Sequence, residues 1–233
     1  MKTLFVALDF KTEQETFAFL DKFEGQSVGV KVGMSQFYMS GPKIIEEMCR
    51  RGHEVFLDLK CHDIPNTVYL ACLQLSQLPV KLLTVHTLGG KEMMQAAVKG
   101  VEEGPYQPQI LGITQLTSTN QTQLNQDLGI SGDLQSSVIH LAQLAEESGL
   151  AGVVSSVQEV SQIKAATSER FLSLTPGIRM QANATNDQKR VATPEQARLA
   201  GADFIVVGRP ITQSSDPVAA YQEFIHQWKG SNN

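Results

Sequence analysis

Residues 56–68 of the chain read FLDLKCHDIPNTV. The first half of this stretch alternates apolar and polar residues as a half-buried strand does, so Asp58 and Lys60 should project from the same face. The second half, with Pro65, is typical of the first turn of a helix. Because an unpaired charge is costly to bury, this charged pair must lie at a sheet edge or in a polar cavity. The stretch therefore predicts an active site at the end of a strand.

Strand-like segments recur on both sides of this stretch, and helical segments alternate with them. The predicted strands span residues 4–9, 27–33, 54–60, 81–87, 109–116, 149–155, 171–175 and 202–208. Strict alternation implies parallel strands joined by right-handed crossovers. Eight such units in 233 residues predict a single-domain (β/α)8 TIM barrel over residues 1–233, with a doubly wound sheet as the structural rival.

The barrel prediction brings polar residues from several strand ends to one mouth. These residues are Asp9, Lys31, Asp58, Lys60, Thr117, Arg179 and Arg209. A carboxylate about 4 Å from an ammonium group contributes roughly 4 kcal/mol at an effective dielectric near 20, which favours a protonated Lys60. A charged lysine suits proton donation or carbanion stabilisation better than Schiff-base chemistry. For the D-x-K pattern alone, an ordinary ion pair at a strand end remains the alternative.

Two segments near the carboxyl terminus have anion-binding chemistry. Residues 175–179 read TPGIR and residues 207–212 read VGRPIT. Glycine allows backbone N–H groups to approach an anion, and an arginine can grip a phosphate through paired hydrogen bonds. Gly177 and Gly208 as plain turn residues, with Arg209 as a surface charge, are the alternative. Their expected place beside Lys60 favours a phosphorylated ligand.

Composition narrows the classes of function. The chain has 19 basic and 24 acidic residues, a balance that predicts neither nucleic-acid nor anionic-membrane binding. Asp9 ends the first apolar run too early for a signal peptide. Three cysteines without CxxC spacing indicate a reduced, cytoplasmic protein. No set of His, Cys and carboxylate residues has metal-site spacing, so neither a metal nor another cofactor is expected.

The run D-x-K-x-x-D-I-P-N-T-V in residues 58–68 resembles the signature of the orotidine 5'-phosphate decarboxylase family. That resemblance implies conversion of orotidine 5'-phosphate to UMP in pyrimidine biosynthesis, without a cofactor, by a homodimer. It implies that Lys60, paired with Asp58, donates the proton that replaces the departing carboxylate. Asp9 and Lys31 would hold the ribose hydroxyls and join the charged array.

The resemblance also assigns residues away from this array. Asp63 would reach into the neighbouring subunit's site, with Ile64 and Thr67 beside it at the dimer interface. Thr117 and Ser118 would contact the pyrimidine. Pro176, Gly177 and Arg179 would form the substrate-binding loop after the seventh strand, Gln188 would belong to the closing phosphate loop, and Gly208 with Arg209 would grip the phosphate.

Two other functions remain open from the sequence. Relatives that use the same strand with Mg2+, such as keto-gulonate-phosphate decarboxylases and hexulose-phosphate synthases, place a metal-binding Glu at the end of the second strand. Lys31 stands there in this chain, and an ammonium group cannot ligate a cation. A phospho-ligand sensor on an inactive barrel is the second alternative, although the presence of Asp58, Lys60 and Asp63 argues against it.

Two polar segments are predicted as loops. Residues 119–132 look too polar to pack and are expected to form a mobile loop, and residues 179–193 form another polar connection. Helices are expected to begin near Thr12, Thr193 and Asp216, and one helix is expected between the second and third strands.

Overall fold

The structure is a computed structural model that describes residues 2–180 and 191–230. Eight parallel strands pair in chain order and close into a barrel. The strands are β1 (Thr3–Ala7), β2 (Gly29–Gly33), β3 (Glu54–Cys61), β4 (Leu82–His86), β5 (Gln109–Ile113), β6 (Gly152–Val154), β7 (Leu172–Thr175) and β8 (Phe204–Val207). The predicted (β/α)8 barrel is therefore confirmed, and the doubly wound sheet is wrong.

Helices surround the barrel. They are α1 (Glu13–Leu20), α2 (Met34–Ser40), α3 (Pro42–Arg50), α4 (Pro65–Leu75), α5 (Gly90–Glu102), α6 (Leu134–Glu147), α7 (Val157–Ala166), α8 (Pro194–Ala200), α9 (Arg209–Thr212) and α10 (Pro217–Lys229). The predicted starts are confirmed at Thr12, Thr193 and Asp216, whose side chains accept the N–H groups that a helix leaves unpaired in its first turn. The prediction of a single helix after β2 is wrong. Two helices stand there, because Gly41, with a φ of 66°, ends the first and Pro42 starts the second.

Apolar side chains fill the barrel below its mouth. The Phe5 ring lies 5.6 Å from that of Phe56 and 5.9 Å from that of Phe204, measured between centroids. Leu82, Leu111 and other buried residues complete this cluster. A larger apolar cluster packs the helices against the outside of the barrel. This inner cluster fills the barrel beneath its mouth and provides a floor for a polar site at the carboxyl ends of the strands.

Strand β3 leaves regular geometry just before its end. Leu57 pairs with Leu83 of β4, but the next paired residues are Cys61 and Val85. Residues 58–60 therefore lie opposite the single residue Thr84, which is the geometry of a β-bulge. Within the described residues, Lys60 alone among non-glycine residues has a positive φ, of 53°. The strand carrying the Asp58–Lys60 pair is bent, in contrast to the plain alternation expected from the sequence.

Residues 119–132 are mostly exposed, as expected of a polar segment that packs poorly, but they are hydrogen-bonded internally and anchored by one buried side chain. Leu124 is fully buried. The side-chain amide of Asn125 donates to the carbonyls of Ile130 and Gly132 at 2.6 and 2.9 Å. Gln121 accepts the N–H of Leu134 at 2.9 Å. Side-chain amides here provide the partners that a regular element would give the backbone.

The second polar connection is only partly described, because residues 181–190 lie outside the described ranges. Its two ends meet, since the N–H of Arg179 donates to the carbonyl of Ala192 at 2.9 Å. In residues 2–180 and 191–230, no helix combines the length and apolar character that crossing a bilayer requires.

Candidate active site

A cavity of about 580 Å³ opens at the carboxyl ends of the strands. Most of the residues predicted for the site line it: Asp9, Lys31, Asp58, Lys60, Thr117, Pro176, Gly177, Arg179, Gly208 and Arg209. Its floor is formed by apolar barrel residues such as Phe56 and Val206. The fold thus brings side chains that are up to 200 positions apart in the sequence to one chamber.

Two lysines and two aspartates alternate on one side of this chamber. Lys31 Nζ lies 3.5 Å from Asp9 Oδ1 and 3.6 Å from Asp58 Oδ2. Lys60 Nζ lies 2.8 Å from Asp58 Oδ1. The Asp58 and Lys31 side chains are only 13% and 12% exposed, whereas that of Lys60 is 28% exposed. Asp58 is therefore the shared centre, and Lys60 is the lysine more open to a ligand.

The environment of Asp58 sets its charge. Burial acts to raise the pKa of Asp58, but Lys31, Lys60 and the hydroxyl of Thr84 act in the opposite direction and lower it below its usual 3.8. The Thr84 hydroxyl donates to Asp58 Oδ1 at 3.0 Å. Asp58 is consequently ionised at neutral pH and holds both ammonium groups in place.

The loops after the neighbouring strands β7 and β8 both border the cavity. Gly177 has a φ of 81°, a conformation that favours glycine, so the turn that carries Arg179 depends on it. Arg179 Nη1 donates to the carbonyl of Ile178 at 2.8 Å. Gly208 precedes the short helix α9, and Arg209 is its first residue. Two guanidinium groups thus border the chamber, as the sequence predicts.

Four predicted residues lie elsewhere. Asp63, Ile64 and Thr67 are exposed around the start of α4 and do not line the cavity of their own chain. Asp63 Oδ1 instead accepts the N–H of Ile64 at 2.7 Å. Ser118 is exposed beside Thr117 and is not a lining residue. Gln188 falls outside the described residues.

The sequence prediction missed several lining residues and one buried partner. Phe10, Gln115, Leu116, Thr212 and Gln213 also line the cavity. Phe10, Gln115 and Leu116 lie within three residues of a strand end, so position in the chain was the available signal for them, whereas Thr212 and Gln213 lie at the end of α9. Thr84, the buried partner of Asp58, left only the weaker signal of a hydroxyl within an apolar strand.

A closed (β/α)8 barrel whose charged cavity lies at the carboxyl ends of its strands defines the class of barrel enzymes. The model of the Orotidine 5'-phosphate decarboxylase / HUMPS family matches residues 2–224. The chain belongs to that family.

Individual relatives agree over nearly the whole chain. Orotidine 5'-phosphate decarboxylase of Bacillus licheniformis is 51% identical over 97% of this chain and 96% of its own length. The protein of the same name from Listeria innocua is 48% identical over 96% and 97%. The crystal structure of orotidine 5'-phosphate decarboxylase from Lactobacillus acidophilus superposes with a TM-score of 0.89 at 37% identity, covering 99% and 100% of the two chains. The chain is thus an enzyme of the carboxy-lyase class.

The linkage between Asp58 and stability can be measured with Asp58→Asn. At neutral pH this change should lower the free energy of unfolding by about 3 kcal/mol, because two partly buried lysines lose their shared carboxylate. The folded-state pKa of Asp58 is below 3.8, so the unfolded chain binds the proton first as the pH falls. The stabilisation is present above pH 3.8 and is lost below it.

Urea unfolding of both proteins between neutral and acid pH is the measurement. The difference in unfolding free energy between the wild type and Asp58→Asn should shrink as the pH falls. Asp127→Asn, which removes an exposed carboxylate, should follow the wild type throughout. A difference for Asp58→Asn that stays constant with pH would show that this carboxylate does not stabilise the array as a charged group.

Proposed function

We propose that this chain decarboxylates orotidine 5'-phosphate to UMP without a cofactor, with Lys60 as the proton donor. The single observation that carries the proposal is the contact of Lys60 Nζ with Asp58 at 2.8 Å in a chamber bordered by Arg179 and Arg209. The names of the relatives at about half identity support the same substrate.

The reaction requires a fixed positive charge near the reacting carbon. When the bond between pyrimidine C6 and the carboxylate breaks, CO2 leaves and its bonding electrons remain on C6. No conjugated carbonyl receives them, so an ammonium group held in place stabilises the developing charge. Lys60 then delivers its proton to C6, which forms the C–H bond of UMP, and the lysine is reprotonated from solvent.

Lys31 distinguishes this proposal from Mg2+-dependent chemistry. Its ammonium contacts the carboxylates of Asp9 and Asp58. These are the oxygen atoms that a cation would need, and an ammonium group offers no lone pair of its own. Asp9 is the more exposed of the two, at 63%, and its free surface suits a ribose hydroxyl. Asp9 and Lys31 are proposed to hold the ribose.

The phosphate end is proposed to be formed by the loops after β7 and β8. Gly208, Arg209, Arg179 and Pro176 are proposed to bind the phosphate, with Gln188 joining them from the connection after β7. Thr117 lines the cavity, and the adjoining Ser118 would turn inward to contact the base when the ligand binds. Binding of the remote phosphate would then drive closure around the reacting ring.

The direct test is decarboxylation of orotidine 5'-phosphate, followed by its absorbance change, with EDTA present. Turnover should be unaffected by the chelator. Lys60→Ala should lower kcat by about 10²–10⁴-fold, because it removes both the proton donor and the positive charge. Lys99→Ala, which removes a lysine that is 70% exposed, is the control and should retain full turnover. Full activity in Lys60→Ala, or loss of activity in EDTA, would refute the proposal.

We further propose that the enzyme is a homodimer whose sites are shared. Asp63 and Thr67 do not line their own cavity, which leaves them available to a neighbouring one. Apolar side chains are exposed on the segments that follow β2, β3 and β4. They include Met34, Tyr38 and Met39 on α2, Ile64 before α4 and Leu88 after β4. Grouped apolar exposure of this kind marks an interaction surface.

Mixing two inactive variants tests the shared site. In a mixed dimer of Lys60→Ala and Asp63→Asn chains, one site keeps both Lys60 and the partner's Asp63. Random exchange of subunits should restore roughly a quarter of wild-type activity, since half of the dimers are mixed and each has one intact site. Chains carrying both substitutions, mixed with wild type, control for dilution. No recovery after demonstrated subunit exchange would place Asp63 in its own chain's site, and full activity of Asp63→Asn alone would place it outside catalysis.

The compartment and the domain organisation are also part of the proposal. Cys49, Cys61 and Cys72 are free thiols, which suits the reducing cytoplasm where pyrimidine biosynthesis would occur. Residues 1–233 are proposed to form one domain, since the described strands and helices contribute to a single barrel.

A further inference from the structure

Thr84 occupies an unusual place in strand β4. It is fully buried between the apolar residues Leu83 and Val85. Its hydroxyl accepts the backbone N–H of Lys60 at 2.9 Å and donates to Asp58 Oδ1 at 3.0 Å. A hydroxyl has one proton and two lone pairs, so these two bonds fix which atom donates in each. The Thr84 side chain is therefore hydrogen-bonded to both Asp58 and Lys60.

The bulge explains why Lys60 needs this partner. Residues 58–60 lie opposite Thr84 alone, so the regular ladder between β3 and β4 is interrupted there. Lys60 has a φ of 53°, a conformation that costs an L-residue about 1–2 kcal/mol. Within this break, the backbone N–H of Lys60 donates to the Thr84 hydroxyl. The bond supports the backbone conformation from which the Lys60 side chain extends.

The same hydroxyl also orients Asp58. Oδ1 of Asp58 receives Thr84 Oγ1 and Lys60 Nζ, the latter at 2.8 Å. Oδ2 is left to face Lys31 Nζ at 3.6 Å. Rotation of this carboxylate would exchange or break these contacts. Thr84 thus holds the plane of the carboxylate that separates the two ammonium groups.

We propose that Thr84 is a positioning residue, whose hydroxyl holds the left-handed turn at Lys60 and the orientation of Asp58 together. The inference rests on the proposed function, because Lys60 is the group being positioned. Thr84 does not line the cavity, so its effect on a substrate would pass through these two residues. Loss of the hydroxyl should therefore lower kcat more than it raises KM.

Three variants test the proposal. Thr84→Val keeps the shape but removes the hydroxyl, and its kcat should fall by up to about 10²-fold with little change in KM, as expected when a reacting group is displaced by about 1 Å. Thr84→Ser restores the hydroxyl and should regain most of kcat. Thr87→Val is the matched control, since Thr87 is equally buried and its hydroxyl donates to the carbonyl of Ile113 at 2.7 Å. It should lose stability but keep kcat.

A crystal structure of Thr84→Val gives a readout that does not depend on turnover. It should show Lys60 leaving its positive φ or Nζ moving away from Asp58. This result would stand even if the wild type failed to act on orotidine 5'-phosphate, so failure of the proposed function and failure of this inference are distinguishable. If Thr84→Val does not fold, Thr84→Cys has a similar volume with a weaker donor and should show an intermediate kcat.

Two results would overturn the inference. The first is an unchanged kcat in Thr84→Val or Thr84→Cys. The second is a kcat in Thr84→Ser as low as that of Thr84→Val, which would point to a packing role for the side chain.

Discussion

A nearly buried carboxylate between two ammonium groups, Asp58 between Lys31 and Lys60, is the interaction that makes the site possible. An isolated charge at this depth would be costly, but alternation of opposite charges compensates it. With Asp9 the array has two positive and two negative groups, so it is formally neutral and can rest on an apolar floor. The cost of breaking it is high, because each charge would lose its partner.

The chamber is consequently polarised. Its array end is neutral overall and presents Lys60 as the more open cation, whereas the loops after β7 and β8 contribute Arg179 and Arg209. A phosphate dianion would be directed to the arginine end, which leaves the reacting ring at the array. In the proposed function, the arginine loops would bind the phosphate while the array carries out the chemistry, and the energy of phosphate binding would close the site around the base.

The sequence predicted those parts of the structure that depend on local pattern. All eight strands were found because strand and helix alternate, and the helix starts at Thr12, Thr193 and Asp216 carry capping signals. The break between α2 and α3 was also readable, since Gly41 and Pro42 form a known interruption. The internal hydrogen bonds of residues 119–132 were not predictable, because polarity alone does not show whether amide side chains will bond within the segment or to water.

The bulge and its partner were beyond sequence reasoning for a different reason. Asp58-Leu59-Lys60 alternates as a regular strand would, and nothing in it signals a left-handed residue. Only the register between two strands shows that residues 58–60 face Thr84. The positions of Asp63 and Thr67 pose a similar problem, since their proposed contacts belong to a second chain. Long-range register and assembly are therefore the levels at which local pattern stops being informative.

A crystal structure of the enzyme with bound UMP tests the central proposal most directly, namely that a fixed Lys60 ammonium stabilises the electron pair that CO2 leaves on C6. The account predicts Lys60 Nζ within about 3–3.5 Å of pyrimidine C6, with the phosphate on Gly208 and Arg209. A complex in which C6 faces away from Lys60, or in which the phosphate lies at the Lys31–Asp58 end, would contradict it.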